Sequence, residues 1–129
     1  MNQNNWLILV SKKILVLGLF CLFIPLGTAA QTTPAILVMG DSLSAEYGIQ
    51  RGSGWVTLLQ NQLRQQGSTW DVINASISGE TTAGGLARMP ALLQQKKPRI
   101  VLLELGANDA LRGLSIKETE KNLRAMINL

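Results

Sequence analysis

From residue 35 onward, short apolar runs alternate with longer segments that have a helical period. The apolar runs lie at residues 35–39, 71–74 and 100–105, and each is rich in β-branched or aliphatic side chains, as expected of strands covered on both faces. Such alternation is typical of βαβ units and predicts an α/β fold with a parallel sheet. Right-handed crossovers from a central first strand then predict a three-layer αβα sandwich, with about five strands in a complete sheet.

Three helices are predicted between and after these strands. Residues 54–66 repeat apolar side chains at intervals of four, and Gly67 follows at the position of a C-cap. Apolar residues on both sides of Pro90 mark a second helix, in which the proline must either begin a new turn or kink the helix. Ser115 and Glu118 have the spacing of a capping box, which predicts the start of a third helix.

Residues 1–30 have the layout of an export signal, with two lysines ahead of an apolar run (residues 14–24) and small residues up to Ala30. The alternative is an uncleaved membrane anchor, but the apolar run is shorter than the about 20 residues that a spanning helix needs. We therefore predict a cleaved signal peptide at residues 1–30 and a periplasmic or secreted protein without a stable membrane anchor. Residues 31–129 are then the N-terminal portion of a single domain.

The charge balance and the single cysteine indicate whether this chain binds nucleic acid and whether it can form a disulfide. Without Lys12 and Lys13 of the predicted signal, ten basic residues face eight acidic ones, and the basic residues are scattered along the chain. This balance does not favour nucleic-acid binding. The single cysteine, Cys21, lies within the predicted signal, so the remaining chain would contain no disulfide.

Each predicted strand is followed by a polar segment that contains glycine. The first polar segment is residues 40–44, the second is residues 74–81 and the third is residues 106–109. In an open parallel sheet, the connections that leave the carboxyl ends of the strands line one crevice, so distant parts of the chain can meet there. Any one segment alone would be interpreted as an ordinary turn, but three at the same edge of the sheet favour a functional site.

These segments contain groups that acyl transfer requires, namely a hydroxyl to be activated and donors for a developing oxyanion. Ser42 supplies the hydroxyl, two residues beyond a predicted buried strand. Gly79 offers an unobstructed backbone N–H, and Asn108 offers an uncharged side-chain amide with two N–H donors.

The three polar segments resemble the signature blocks of the GDSL or SGNH hydrolases. Gly-Asp-Ser-Leu-Ser at residues 40–44 is similar to the first block, residues 74–79 to the second, and Gly-Ala-Asn-Asp at residues 106–109 to the third. Three blocks in order behind the right strands are far more specific than a lone GDSL, and the likeness covers nearly all of residues 35–129.

The resemblance implies a flavodoxin-like αβα sandwich and a serine ester hydrolase that acts on a small acyl ester or thioester through an acyl-Ser42 intermediate. It implies that Ser42 is the nucleophile, and that neither a metal ion nor an organic cofactor is required. It also implies that the oxyanion hole consists of the Ser42 N–H, the Gly79 N–H and the side chain of Asn108.

The same resemblance implies a base that this sequence lacks. The family completes its triad with an aspartate and a histidine from a D-x-x-H block near the carboxyl end, and none of the 129 residues is histidine. Without an imidazole Ser42 remains an ordinary alcohol, and losing a triad member typically lowers the rate by about four to six powers of ten. We therefore expect an inactive piece of a longer, monomeric enzyme whose C-terminal strands are missing here.

The sequence is also compatible with two alternatives to an enzyme fragment. The short chain could be a non-catalytic protein that binds a small acyl or carboxylate ligand in the same crevice. It could also be an interaction fragment that associates through the uncovered edge of its sheet.

The remaining acidic residues near the polar segments have structural interpretations. Asp41 is expected to stabilise its own segment by accepting hydrogen bonds from nearby backbone N–H groups, and Asp109 is expected to brace the third segment in the same way. Glu104 stands within an apolar strand, and we predict that it pairs with Arg88 or Arg112 at the sheet edge.

Overall fold

A computed structural model describes residues 33–129, which contain three strands and four helices. The strands are β1 (Ala35–Gly40), β2 (Asp71–Asn74) and β3 (Ile100–Glu104), and the helices are α1 (Trp55–Gln65), α2 (Thr82–Lys96), α3 (Ala107–Leu111) and α4 (Ile116–Ile127). The three predicted strands are confirmed to within one residue at each end. The predicted signal peptide at residues 1–30 lies outside the described residues.

The sheet has β1 at its centre, with the order β2-β1-β3, and both strand pairs are parallel. Val38 of β1 lies opposite Asn74 of β2 and Leu102 of β3. The chain moves from β1 to one neighbour and then back across β1 to the other, so right-handed crossovers put α1 and α2 on opposite faces. The predicted α/β fold with a parallel sheet is confirmed, and helices cover both of its faces.

The core lies between the sheet and the helices α2 and α4. Its buried centre consists of Leu37 and Met39 of β1, Met89 of α2 and Met126 of α4. Because side chains alternate along a strand, Leu37 and Met39 face these two helices, while the fully buried Val38 faces the other side of the sheet. Partly buried hydrophobic side chains from all three strands and both helices surround the centre: Ile73, Ala75, Leu86, Leu92, Leu93, Val101, Leu103, Leu105 and Leu123.

Two helix ends form as the sequence predicts. After α1, Gly67 has a φ of 72°, and the N–H of Ser68 donates to the carbonyl of Leu63 over 3.0 Å, which is a Schellman motif. At the start of α4 the hydroxyl of Ser115 accepts from the N–H of Glu118 over 3.4 Å. Half of the predicted capping box is present, because the carboxylate of Glu118 accepts from Lys121 instead.

Two features of the helices differ from the simplest expectation. Pro90 lies inside α2, which runs from Thr82 to Lys96 without a break. The helix α3 begins immediately after Gly106, where only a polar connection was predicted. A helix of five residues is too short to show a helical period in the sequence, so the pattern could not indicate it. In the part of the chain that is described, no helix combines the length and apolar character needed to cross a membrane.

Candidate active site

Hydrogen bonds join the first and second polar segments at the carboxyl edge of the sheet. The N–H of Ile77 donates to the carbonyl of Gly40 over 3.1 Å, and the N–H of Gly40 donates to the hydroxyl of Ser76 over 3.0 Å. These bonds extend the pairing of β1 with β2 beyond the last strand residues. The second segment is therefore fixed against the first segment two residues before Ser42.

Asp41 joins the first polar segment to the third. Its side chain is buried, with 1% of its surface exposed. Its Oδ2 accepts from Nδ2 of Asn108 over 3.0 Å, and its Oδ1 accepts from the N–H of Leu43 over 3.0 Å. The bond from Leu43 is the predicted stabilisation of the segment by a backbone N–H. The bond from Asn108 was not predicted, and it places that carboxamide beside the residue that precedes Ser42.

Arg112, three residues beyond the third segment, joins the end of α3 to the second segment. It follows α3 directly, and its guanidinium donates to the carbonyl of Gly79 over 2.7 Å. Gly79 has a φ of 77°, a left-handed conformation that glycine adopts without strain. A β-carbon at this position would lie 3.2 Å from the guanidinium, so glycine also leaves room for the close approach of Arg112.

The structure thus brings together the three segments that carry Ser42, Gly79 and Asn108. Direct hydrogen bonds join the first segment to the second and to the third, and Arg112 joins the second segment to the end of the helix that contains Asn108. All three residues are half-buried, which leaves them accessible to a small molecule. Their roles as nucleophile and oxyanion donors stay predictions.

Glu104 does not form the predicted ion pair with an arginine, and that prediction is wrong. Its Oε2 accepts from the hydroxyl of Ser44 over 2.8 Å and from the N–H of Asp41 over 3.4 Å. The pairing of β1 with β3 places Glu104 beside Gly40, so its carboxylate reaches the first polar segment rather than the outer edge of the sheet. A β-carbon on Gly40 would lie 2.6 Å from both Glu104 Oε2 and Ser44 Oγ.

The two arginines named as partners of Glu104 bind elsewhere. Arg88 forms an ion pair of 2.7 Å with Glu80 and donates to the carbonyl of Ala75 over 3.1 Å. Arg112 donates to Gly79, as described above.

Sequence reasoning missed the buried polar contacts behind the first segment. The hydroxyl of Ser44 donates to Glu104 and accepts from Nε1 of Trp55 over 3.1 Å, and Ser44 is 1% exposed. The carbonyl of Ser44 accepts from the side chain of Asn74 over 2.7 Å. The one available signal was a carboxylate at the end of an otherwise apolar strand, since a buried carboxylate requires donors nearby. These contacts attach the segment that carries Ser42 to β2, β3 and α1.

Asp109 braces more than its own segment. It is 3% exposed, and its carboxylate accepts from the N–H of Thr82 over 2.9 Å, from the hydroxyl of Thr82 over 2.5 Å and from the hydroxyl of Thr119 over 3.3 Å. Burial alone would raise the pKa of Asp109, but the hydrogen bonds from Thr82 and Thr119 outweigh burial and hold the pKa below its ordinary value. The side chain thereby ties α3 to the first turn of α2 and to α4.

The assembled groups are a hydroxyl and several N–H donors, without an evident base. None of the 129 residues is histidine. The neighbouring carboxylate of Asp41 is already engaged by two N–H groups. Within residues 33–129 no cluster of three or more acidic, cysteine or histidine side chains is placed to hold a metal ion. The arrangement suits stabilisation of negative charge on a reacting carbonyl oxygen.

Comparison with known proteins connects this geometry to one family. The GDSL-like lipase/acylhydrolase family matches residues 38–129, a range that includes all three polar segments. The chain is 49% identical over 106 residues to Esterase TesA of Pseudomonas aeruginosa, and the match covers 82% of this chain and 53% of that protein. It is 46% identical over 109 residues to Thioesterase 1/protease 1/lysophospholipase L1 of Escherichia coli strain K12, covering 84% of this chain and 50% of that protein.

A solved structure shows the same similarity in three dimensions. The psychrotrophic esterase EstA from Pseudoalteromonas sp., inhibited by monoethylphosphonate, matches with a TM-score of 0.70 and 52% sequence identity. The match covers 73% of this chain and 51% of that chain. The 129 residues thus span about half the length of the relatives that they match.

Proposed function

The chain belongs to the GDSL-like lipase/acylhydrolase family, and from this premise we propose that its residues form the nucleophile and oxyanion side of a serine ester hydrolase. The substrate is a small acyl ester or thioester, and the acyl group is carried on Ser42. One observation supports this most directly. Nδ2 of Asn108 lies 3.0 Å from the carboxylate of Asp41, the residue before Ser42. The segment that contains Gly79 is hydrogen-bonded to Gly40, two residues before Ser42.

In the proposed reaction the hydroxyl oxygen of Ser42 attacks the acyl carbonyl and forms a tetrahedral intermediate. The Ser42 N–H, the Gly79 N–H and the Asn108 side chain donate to its oxyanion, and loss of one such donor typically costs about a hundredfold to a thousandfold in turnover. Collapse of the intermediate expels the alcohol or thiol, and water then hydrolyses the acyl-Ser42 ester.

The proton of Ser42 must pass to a base during the attack. In the triad that this family resemblance implies, the base is a histidine oriented by an aspartate, and the 129 residues contain no histidine. We therefore propose that this chain does not turn over substrate by itself. The activity belongs to a protein in which an imidazole reaches Ser42.

The substrate class is supported by the names of the relatives, which are an esterase, a thioesterase and a lysophospholipase. Export to the periplasm or beyond is supported by the sequence of residues 1–30. We further propose that the protein is monomeric, has no stable membrane anchor after cleavage and does not bind nucleic acid. N-terminal sequencing of the protein from a periplasmic fraction tests the export proposal, because cleavage after Ala30 predicts Gln31 as the first residue.

A fluorophosphonate probe tests the assignment of the nucleophile in the gene product as its source cells make it. We expect covalent labelling, complete loss of labelling in Ser42→Ala, and retention in Ser78→Ala. Ser78 is a matched control because it is an exposed serine in the second polar segment. Labelling that persists in Ser42→Ala would overturn the assignment.

The second candidate function is non-catalytic binding of a small acyl or carboxylate ligand in the same crevice. It is favoured because none of the 129 residues is histidine. This proposal is tested by titrating the 129-residue chain with hexanoate and following the amide signals of Gly79 and Asn108 by NMR. Saturable shifts of these signals, without hydrolysis of p-nitrophenyl hexanoate, would support the binding function. Unchanged signals at high ligand concentration would contradict it.

A further inference from the structure

Asp41 is a buried carboxylate beside the nucleophile that the proposed reaction does not use. It is 1% exposed, and both of its oxygens accept hydrogen bonds from N–H groups. We propose that Asp41 is a positioning residue, which fixes the direction in which Asn108 presents an N–H to the reacting carbonyl. This inference rests on the proposed function and assigns one more residue to the same site.

A carboxamide needs such positioning because its two ends have nearly the same shape and opposite chemistry. The nitrogen end of Asn108 can donate to an oxyanion, whereas the oxygen end would repel one. Oδ2 of Asp41 lies 3.0 Å from Nδ2 of Asn108. An ionised carboxylate only accepts hydrogen bonds, so it can hold only the nitrogen end. Rotation of the amide would place two acceptor oxygens against each other in a buried site.

The bond to Asp41 uses one of the two hydrogens on Nδ2 of Asn108. The second hydrogen is fixed in the amide plane by the first, because the carboxamide is planar. Asp41 therefore selects the orientation of Asn108 and leaves one donor for the substrate.

The same carboxylate also sets the position of the nucleophile. Oδ1 of Asp41 accepts from the N–H of Leu43 over 3.0 Å, and the N–H of Asp41 donates to Glu104 over 3.4 Å. Asp41 and Leu43 flank Ser42, so one buried side chain holds the nucleophile and the carboxamide donor in a common frame. Such positioning matters because a displacement of about 1 Å at a reacting centre can cost about a hundredfold in rate.

The Asp41→Asn variant tests the inference in the fluorophosphonate-reactive gene product. The new side chain has the same shape, but its single acceptor oxygen cannot serve both Leu43 and Asn108, so one of these N–H groups loses its partner. We expect kcat to fall by about tenfold to a hundredfold, less than the full loss of an oxyanion donor, while KM changes little.

A double-mutant cycle separates positioning from a general structural role. In an Asn108→Ala background, Asp41→Asn should lower kcat by no more than about threefold, because the carboxamide to be oriented is absent and the remaining amide oxygen can still accept from Leu43. A loss in that background equal to the loss in the wild type would overturn the inference. An unchanged kcat in Asp41→Asn alone would also overturn it.

A second measurement needs neither activity nor a mutant. In the 129-residue chain, hydrogen exchange of the Asn108 side-chain amide is expected to be slower than that of Asn61, an exposed asparagine on α1. Equal exchange rates of the two amides would overturn the inference even if Asp41→Asn failed to fold. Absence of fluorophosphonate labelling, in contrast, would contradict the proposed function. The bond between Asp41 and Asn108 would then be tested by hydrogen exchange of the Asn108 side-chain amide alone.

Discussion

The carboxyl edge of the sheet and the core beneath α2 and α4 are stabilised in opposite ways. At the edge the buried side chains are polar, and Asp41 and Ser44 are each 1% exposed. In the core they are apolar, with two methionines, Met89 and Met126, at the centre. Next to that centre lies a partly open cavity of about 320 Å³, lined by Met89, Leu93, Val101, Leu103, Met126, Ile127 and Leu129.

The difference follows from the physics of the two kinds of contact. Hydrogen bonds depend on direction, so the edge can hold a carboxamide and a hydroxyl in defined orientations. Apolar burial has no preferred direction, but it dominates the free energy of folding. We therefore expect substitutions in the core to change mainly the stability of the chain, and substitutions at the edge to change mainly the geometry of the site.

The largest expected effect tests the core half of this comparison. Met126 is 1% exposed, and Met126→Ala should lower the free energy of unfolding by about 2 to 5 kcal/mol, because it removes packing contacts and enlarges a cavity. Urea denaturation measures the change. Met126→Leu is the matched control and should cost less than about 1.5 kcal/mol. Slow exchange of the Asn108 side-chain amide should persist in both variants wherever they are folded, and its loss would break the separation between core and edge.

A smaller loss of stability, with a larger change in the site, is expected for Gly40→Ala at the edge. The new β-carbon would lie 2.6 Å from both Glu104 Oε2 and Ser44 Oγ and 2.8 Å from Ser44 Cβ, so both side chains must shift. Such overpacking typically costs about 1 to 3 kcal/mol. Because Ser44 accepts from Nε1 of Trp55, the indole N–H signal in an NMR spectrum should shift. A variant with normal stability and an unshifted indole signal would contradict this account of the edge.

A double variant refines the test of Gly40. Ser44→Gly removes two of the three atoms that the new β-carbon would meet, Oγ and Cβ of Ser44, so combining it with Gly40→Ala should cost less than the sum of the two single changes. Additive losses would show that the strain at residue 40 comes from Glu104 alone.

The elements and segments that sequence could predict are those defined by local pattern. The three strands follow from short apolar runs, and the polar segments follow from their position behind those strands. The contacts that sequence missed join distant residues. Glu104 lies beside Gly40 only because β3 pairs with β1 in a particular register, and Asn108 is 67 residues from Asp41. A rule about neighbouring residues contains no information on either contact.

The third prediction concerns Asp109, which lies between the two regions. Its carboxylate has a lowered pKa, so the stability that it contributes is present above the ordinary value of 3.8 and is lost as the pH falls through the lower value in the folded chain. At pH 7 Asp109→Asn should cost about 1 to 2 kcal/mol, since hydrogen bonds to a charged group are replaced by weaker ones.

The pH dependence provides the control for Asp109. The difference in stability between the wild type and Asp109→Asn, measured by urea denaturation, should shrink as the pH falls below about 4, near the ordinary pKa of an aspartate. A difference that stays constant down to pH 2.5 would mean that the charge of Asp109 does not stabilise the folded chain.

The smallest expected effect is at the start of α4, which carries Met126 into the core. The hydroxyl of Ser115 caps this helix through the N–H of Glu118, and both residues are exposed, so water can replace the lost acceptor in Ser115→Ala. The variant should cost about 0.5 to 1 kcal/mol by urea denaturation.

Its effect should add to that of Met126→Ala, because the cap and the buried sulfur share no partner. Slow exchange at Asn108 should be unaffected. If Ser115→Ala instead accelerated that exchange, the start of α4 would belong to the polar edge rather than to the core. The hydrogen bond from Thr119 to Asp109 would then be the connection between them.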